Sequence, residues 1–156
     1  MKSNKLALIA LILWLLTVVV FAWFFIRGVT VEGSDERTAI VLQTAERDLV
    51  LSEMRGLLVA VQGVLEGTNQ GDSQHISKSA HSAGKAAAAD VNPALMAKLP
   101  LAFKQLGMSV HQDMDDIAQA AEDGKGSGEI LTMVANTLNK CIACHSAWQV
   151  KSVEAQ

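Results

Sequence analysis

The sequence predicts an all-α protein, an antiparallel four-helix bundle preceded by a single transmembrane helix. An unbroken apolar run lies near the N-terminus, and further on apolar residues recur at three-to-four spacing between short turn segments. Aromatic residues make up only 4% of the chain and tyrosine is absent, whereas sheets favour β-branched and aromatic residues. The predicted domains are an anchor over 1–28, a linker over 29–34 and a bundle over 35–156.

The N-terminal run covers residues 6–26 and contains no charged side chain. About 20 apolar residues span the hydrocarbon core of a bilayer. Lys2 and Lys5 precede the run and Glu32 follows it, so the positive-inside rule places the N-terminus in the cytoplasm. A cleaved signal peptide is the alternative, but the run does not end in the small residues of a cleavage site. For a bacterial chain we expect a single-pass inner-membrane protein with its bundle in the periplasm.

The first bundle helix is predicted over 36–66, with Ser34 or Asp35 as its cap. Its first turns, up to about Arg47, are less amphipathic and are interpreted as a stalk above the membrane. The remainder has the spacing of a helix with a broad core face. The residues of this face are Leu51, Met54, Leu58, Val61 and Leu65, widened by Val50, Leu57 and Val64.

A second helix is predicted after the turn segment 67–71, capped by Asp72 or Ser73 and ending near residue 89. Its apolar face is modest and consists of Ile76, Ala80, Ala83 and Ala87. Two histidines point away from this face at the helical angle and are expected in solvent, namely His75 and His81.

Pro93 and Pro100 bound a corner over 91–99, and Pro100 suits the first turn of a third helix. The apolar stripe of that helix contains Phe103, Leu106, Val110, Met114, Ile117 and Ala121. His111 lies at the edge of the stripe and is expected at the surface or half-buried. After the connector 124–128 a last helix follows, capped by Ser127, with the stripe Ile130, Val134, Thr137, Leu138, Cys141, Cys144, His145 and Trp148.

The last helix carries Cys141, Cys144 and His145 in the pattern C-x-x-C-H, and these are the only two cysteines of the chain. This is the attachment pattern of a c-type haem. The two thiols would form thioethers to one haem c, and His145 would be the proximal ligand of its iron. All three residues share one helical face. A thioredoxin-like pair would need a βαβ context and structural zinc about four ligands, and neither pattern is visible.

A helical bundle of this size with C-x-x-C-H near the end of its last helix resembles the class II c-type cytochromes, the cytochrome c prime family. The resemblance covers roughly residues 35–151. It implies an aromatic residue beside the haem, where this chain has Trp148, and then an arginine, where this chain has Gln149. Lys151 or Lys140 is the substitute expected for that arginine near the haem propionates.

The resemblance also implies that the first bundle helix faces the open side of the iron. Its distal position falls on Leu51, four residues after Arg47, and Met54 lies one turn later on the same face. A methionine there would be a soft sixth ligand, whereas Leu51 would line the pocket of a five-coordinate iron. A methionine on an apolar helical face is also an ordinary core residue, so both possibilities stay open.

The function implied by the resemblance is that of a membrane-anchored monohaem carrier passing single electrons between respiratory redox partners, not that of an enzyme. Two alternatives remain, a five-coordinate haem protein that binds NO or CO and an accessory haem subunit of a larger membrane respiratory complex. From Gly33 onward ten basic residues stand against fifteen acidic ones. Nucleic acid is therefore not an expected partner, while an acidic carrier suits a basic patch on a redox partner. Family members often form homodimers.

Overall fold

The computed structural model describes residues 2–89 and 91–153, and this part of the chain is mostly helical. Its elements are α1 (Lys2–Arg27), β1 (Thr30–Glu32), β2 (Thr38–Leu42), α2 (Thr44–Gln70), α3 (Ser73–His81), a 3-10 turn (Lys85–Ala88), α4 (Pro93–Lys98), α5 (Leu101–Glu122), α6 (Ser127–Ala147) and β3 (Trp148–Ser152). The helical prediction is confirmed. The expectation of an all-α chain is wrong, because three strands form a small sheet.

Helix α1 contains a segment, Asn4–Arg27, that is long and apolar enough to cross a membrane. A signal sequence near an N-terminus has the same length and composition. The helix ends at Gly28, whose φ of +65° favours glycine. A Cβ atom at Gly28 would overlap the Lys98 carbonyl oxygen and the Pro100 nitrogen, so the end of α1 lies directly against the turn between α4 and α5.

The sheet has the order β1-β2-β3. Strands β1 and β2 are antiparallel with Thr30 opposite Ile40, and β2 and β3 are parallel with Thr38 opposite Trp148. Strand β1 thus lies inside the segment predicted as a linker, and β2 lies where a helical stalk was predicted. The apolar, β-branched run of β2 buries Ile40 and Leu42 completely, which the pleat of a strand allows.

Helix α2 begins later than predicted. Its N-cap is Gln43, whose backbone N–H donates to the Glu46 carboxylate at 2.9 Å, and this is one half of the capping-box pattern. The expected cap at Ser34 or Asp35 is therefore wrong. Along α2, Val61 and Val64 are buried as expected. The predicted core positions Leu58 and Leu65 are exposed.

Four helices enclose the larger apolar cluster, which we call the helical core. Helix α2 contacts α3 and α6, and α5 contacts the same two helices. The helical core is formed by Ala60, Val61, Val64, Ile76, Ala80, Ala83, Met114, Ile117, Ala118, Ala120, Ala121, Ile130 and Val134. Helix α3 ends at His81 instead of near residue 89, and Ala87, predicted on its core face, is exposed in the 3-10 turn.

A second apolar cluster, which we call the sheet core, lies beneath the sheet. It is formed by Ile40, Leu42, Val50, Leu95 and Leu99. The last two belong to the predicted corner, where α4 is capped by the Asn92 side chain accepting from the Ala94 N–H at 2.8 Å. Trp148 packs against the sheet core from β3, so the prediction that it continues the last helix is wrong.

Candidate functional site

An apolar cavity of about 510 Å³ is lined by α2, α4, α5 and α6. Its volume lies within the range of about 300–1,000 Å³ that is typical of small-molecule sites. The predicted site residues that line it are Leu51, Met54, Cys141, Cys144 and His145. Residues from α2 and α6, far apart in the sequence, thus meet around one space.

A second cavity of about 190 Å³ shares part of this lining. The common residues are Leu51, Met54, Phe103, Cys144 and His145. Its remaining wall comes from the sheet and consists of Arg37, Trp148, Gln149 and Val150. His145 and both predicted distal residues therefore lie where the two cavities adjoin.

The thiols of Cys141 and Cys144 are free and half-buried. Burial raises the pKa of both thiols. The nearby Asp113 also raises the pKa of Cys141, and Cys141 in turn raises the pKa of Cys144. A raised pKa keeps a thiol protonated at neutral pH, unlike the activated cysteine of a redox pair. Among the described residues, no group of three or more His, Cys, Asp or Glu side chains is arranged to hold a metal ion.

His145 lies in the last turn of α6 and is exposed. Its backbone carbonyl accepts a hydrogen bond of 3.2 Å from the Arg37 guanidinium. Arg37 also donates two bonds to Asp35, at 2.8 and 2.6 Å, and the Gln149 amide donates to the other Asp35 oxygen at 2.8 Å. This network joins the turn between β1 and β2 to β3 and to the end of α6.

The cation beside Gln149 is thus Arg37, which the sequence reasoning did not single out. Of the two expected substitutes, Lys140 lines the larger cavity, but its ammonium is bound to Asp113 at 2.7 Å. Lys151 lies on β3 and lines neither cavity. Gln149 stands where the family resemblance implies an arginine. This difference is the sequence feature that points to a basic residue from elsewhere in the chain.

Trp148 lines only the smaller cavity. Its ring meets that of Phe103 edge-on, with centroids 5.8 Å apart and an interplanar angle of 88°, an arrangement that aromatic quadrupoles favour. Phe103 lines both cavities and packs against the sheet core. Trp148 therefore supports the wall of the larger cavity through Phe103.

Glu53 and His111 are among the polar residues that line the larger cavity. His111 is 8% exposed, so the expectation of a surface or half-buried histidine is wrong; its Nδ1 lies 2.8 Å from the Ala83 carbonyl oxygen. Burial raises the pKa of Glu53, and the nearby His111 acts in the opposite direction. Of the other two histidines, His81 is exposed as predicted, whereas His75 is half-buried and its Nε2 is a buried atom without a hydrogen-bond partner.

The donor set suits a covalently held haem. Two half-buried thiols and an imidazole lie on one wall, a thioether and a leucine side chain lie on the α2 wall, and most of the lining is apolar. The chain matches no protein-family model, and comparisons with curated proteins and with solved structures give no significant match.

Proposed function

We propose that this protein is a membrane-anchored monohaem c-type cytochrome of the class II type, passing single electrons between respiratory redox partners. The observation that carries this proposal is the convergence of Cys141, Cys144 and His145 with Met54 and Leu51 on one apolar cavity. The attachment motif alone could serve a haem in many folds. A cavity of suitable size against it adds the space that such a haem needs.

The packing of the helices supports the family assignment. Helices α2, α3, α5 and α6 each contact two of the others, as the members of a four-helix bundle do. We take these four helices as the antiparallel bundle of the class II cytochromes. The three-stranded sheet is then an addition at the end of the bundle that carries His145.

The N-terminal helix supports a membrane location. We place α1 in a bacterial inner membrane and the remaining domain in the periplasm, on the basis of the lysines before the apolar run and the acidic residues after it. No flexible linker separates the anchor from the domain at this point. Immediately after the helix, the Val29 N–H donates to the Lys98 carbonyl at 2.7 Å.

In this assignment Cys141 and Cys144 would hold haem c by two thioethers, and His145 would bind its iron. The haem supplies the one-electron chemistry. Met54 would be a further ligand of the iron, since a thioether stabilises reduced iron and suits an electron carrier. Leu51 and Phe103 would give the haem apolar surroundings, which would contribute to its redox potential.

Two alternatives have an observation in their favour. Leu51 lines both cavities beside His145, as Met54 does, and with Leu51 rather than Met54 at the iron the haem would be open to NO or CO. The direct contact between α1 and the α4–α5 turn fits an accessory haem subunit held at a constant height in a larger membrane complex. Spectroscopy separates the first from the carrier, and co-purification of a stoichiometric membrane partner supports the second.

The deciding experiment uses the full chain expressed with the haem c maturation apparatus and extracted in detergent. A haem stain on a denaturing gel should be positive, and Cys141→Ser with Cys144→Ser should abolish it. The reduced protein should show a sharp low-spin α band that Met54→Ala removes. Met133→Ala is the matched control, because Met133 packs against the helical core and lines neither cavity.

The outcomes discriminate among the functions. A stain-negative protein would eliminate every haem function. A stain-positive protein with a broad high-spin spectrum that shifts on adding carbon monoxide would eliminate the Met54-ligated carrier and leave gas binding.

A further inference from the structure

We propose that Arg37 is a positioning residue for His145, and that the Arg37–Asp35 pair tunes the redox potential of the site. This inference rests on the proposed function, since it takes His145 as the proximal ligand of a haem iron. Arg37 lies in the turn between β1 and β2, outside the four helices and the attachment motif.

The end of α6 is fastened to the sheet and its turn through two backbone carbonyls. The last four carbonyls of a helix have no partners within the helix. Here the Cys144 carbonyl accepts from the Trp148 N–H, and the His145 carbonyl accepts from Arg37 Nη1 at 3.2 Å. Both partners come from the sheet or its turn. Because the imidazole moves with its backbone, a fastened carbonyl restricts where the His145 ring can lie.

The second step is that Arg37 is itself held. Its Nε and Nη2 form a fork on one Asp35 oxygen, at 2.8 and 2.6 Å, and Gln149 binds the other at 2.8 Å. Parallel pairing of Thr38 with Trp148 places Arg37 next to the end of α6. A planar guanidinium held in this way loses little further freedom when it donates a third bond.

The turn that presents Arg37 carries backbone strain. Glu36 has a φ of +68°, a left-handed conformation that is unfavourable for a non-glycine residue and is often retained at functional sites. The Gly33 N–H donates to the Arg37 carbonyl at 2.8 Å. A Cβ atom at Gly33 would overlap that carbonyl and the Gln149 side chain, so the turn closes only with glycine there.

The third step concerns charge. Arg37 lines the smaller cavity together with His145, and a guanidinium stays cationic at every working pH. A nearby positive charge favours the reduced iron, and the Asp35 carboxylate opposes this effect. The side chains of Arg37 and Asp35 are 34% and 46% exposed, so solvent screens both charges in part. Removing either member should shift the potential, but in opposite directions.

The test compares midpoint potentials of the covalently loaded full chain in detergent. Arg37→Gln should shift the potential to more negative values and Asp35→Asn to more positive values, with Arg37→Lys between Arg37→Gln and the wild type. The Soret circular dichroism band, which depends on how the haem lies against its ligand, should change in Arg37→Gln. The matched controls are Lys125→Gln and Glu129→Gln, which break the exposed ion pair Lys125–Glu129 and should leave both readouts unchanged.

Two results would overturn the inference. Shifts of equal sign in Arg37→Gln and Asp35→Asn would mean that the charges of the pair do not tune the potential. Unchanged potentials in both would mean that it does not act on the site at all. The haem stain keeps this failure distinct from that of the proposed function: a stain-negative wild type overturns both, whereas a stained protein with unchanged potentials overturns the inference alone.

Discussion

The helical core and the sheet core of this protein are assembled in different ways. The helical core collects small and branched residues from long helices whose apolar positions recur every three or four residues. The sheet core brings together Ile40, Leu42, Val50, Leu95 and Leu99 from a strand, the start of α2 and the short α4 region. The helical core follows from the periodic apolar positions of its helices, whereas the sheet core depends on contacts between short segments.

The larger cavity lies where these two clusters meet. Val61 and Val110 of the helical region line it, and so do Val50 and Leu95 of the sheet core. The candidate ligand Met54 packs against the sheet core. The helical core should therefore govern mainly stability, whereas the sheet core should govern stability and the state of the site together.

The largest effects should come from truncating each core. Ile40→Ala and Ile117→Ala remove fully buried side chains, and each should lower the free energy of unfolding by about 2–5 kcal/mol. Denaturant unfolding in detergent measures this loss. In the proposed haem-loaded protein only Ile40→Ala should also alter the α band, because Ile40 belongs to the cluster against which Met54 packs. An α band altered in Ile117→Ala alone would show that the helical core, and not the sheet core, governs the site.

The junction of the anchor with the domain should give the next largest effect. Gly28→Ala places a Cβ atom against the backbone of Lys98 and Pro100, and should cost about 1–3 kcal/mol for overpacking beyond the roughly 1–2 kcal/mol of a left-handed residue. Gly71→Ala is the control, since Gly71 has a φ of +69° and no atom near its Cβ position. Thermal unfolding should separate the two variants. Equal losses would show that the contact between α1 and the α4–α5 turn contributes nothing.

Lys104 links the same junction to the cavity wall. Its ammonium donates to the carbonyls of Met96 at 3.1 Å and Phe25 at 3.4 Å and lies 3.7 Å from the centre of the Phe25 ring. Lys104→Met leaves these carbonyls without a donor and should destabilise the protein by about 1–3 kcal/mol. Lys78→Met, at an exposed position, should stay within about 0.5 kcal/mol of the wild type. Thermal unfolding of both in one detergent checks this prediction.

The smallest effect should depend on pH. The hydrogen bond from Lys98 lowers the pKa of Glu46, and the Gln43 N–H acts in the same direction. A carboxylate with a lowered pKa in the folded state adds stability that is present above its unfolded pKa of about 4.5 and is lost as pH falls through the folded value. Wild type should therefore be more stable than Glu46→Gln at pH 7, and this difference should disappear in acid.

Glu53 should show the opposite sign. Because burial raises its pKa, the folded state favours the protonated form and wild type loses stability as pH rises through the folded value. Glu53→Gln should consequently be more stable than wild type at neutral pH. Unfolding curves of Glu46→Gln and Glu53→Gln between acidic and neutral pH test both predictions. If both variants change stability relative to wild type in the same direction as pH rises, the two carboxyl groups are not in different environments.

The parts of the site that could be predicted were the parts carried by periodic or contiguous residues. Cys141, Cys144 and His145 occur in one short motif, and Leu51 and Met54 occur on one helical stripe, so their grouping follows from the helical repeat. The helical repeat placed Phe103 and His111 on or beside the stripe of the third helix but not at the site, and it gave no position for Arg37. Each joins the site through contacts between elements that are distant in the chain.

The sequence by itself determined the apolar N-terminal helix, the predominance of helices and the face that the cysteines and histidine share, because these depend on local composition and on the 3.6-residue repeat. Only the tertiary structure decided that residues 30–32, 38–42 and 148–152 pair as strands. Short strands are stabilised by partners elsewhere in the chain, here by hydrogen bonds between segments more than 100 residues apart. The same long-range pairing brings Arg37 to the carbonyl of His145, so the local motif supplies the His145 side chain and the distant pairing fastens its backbone.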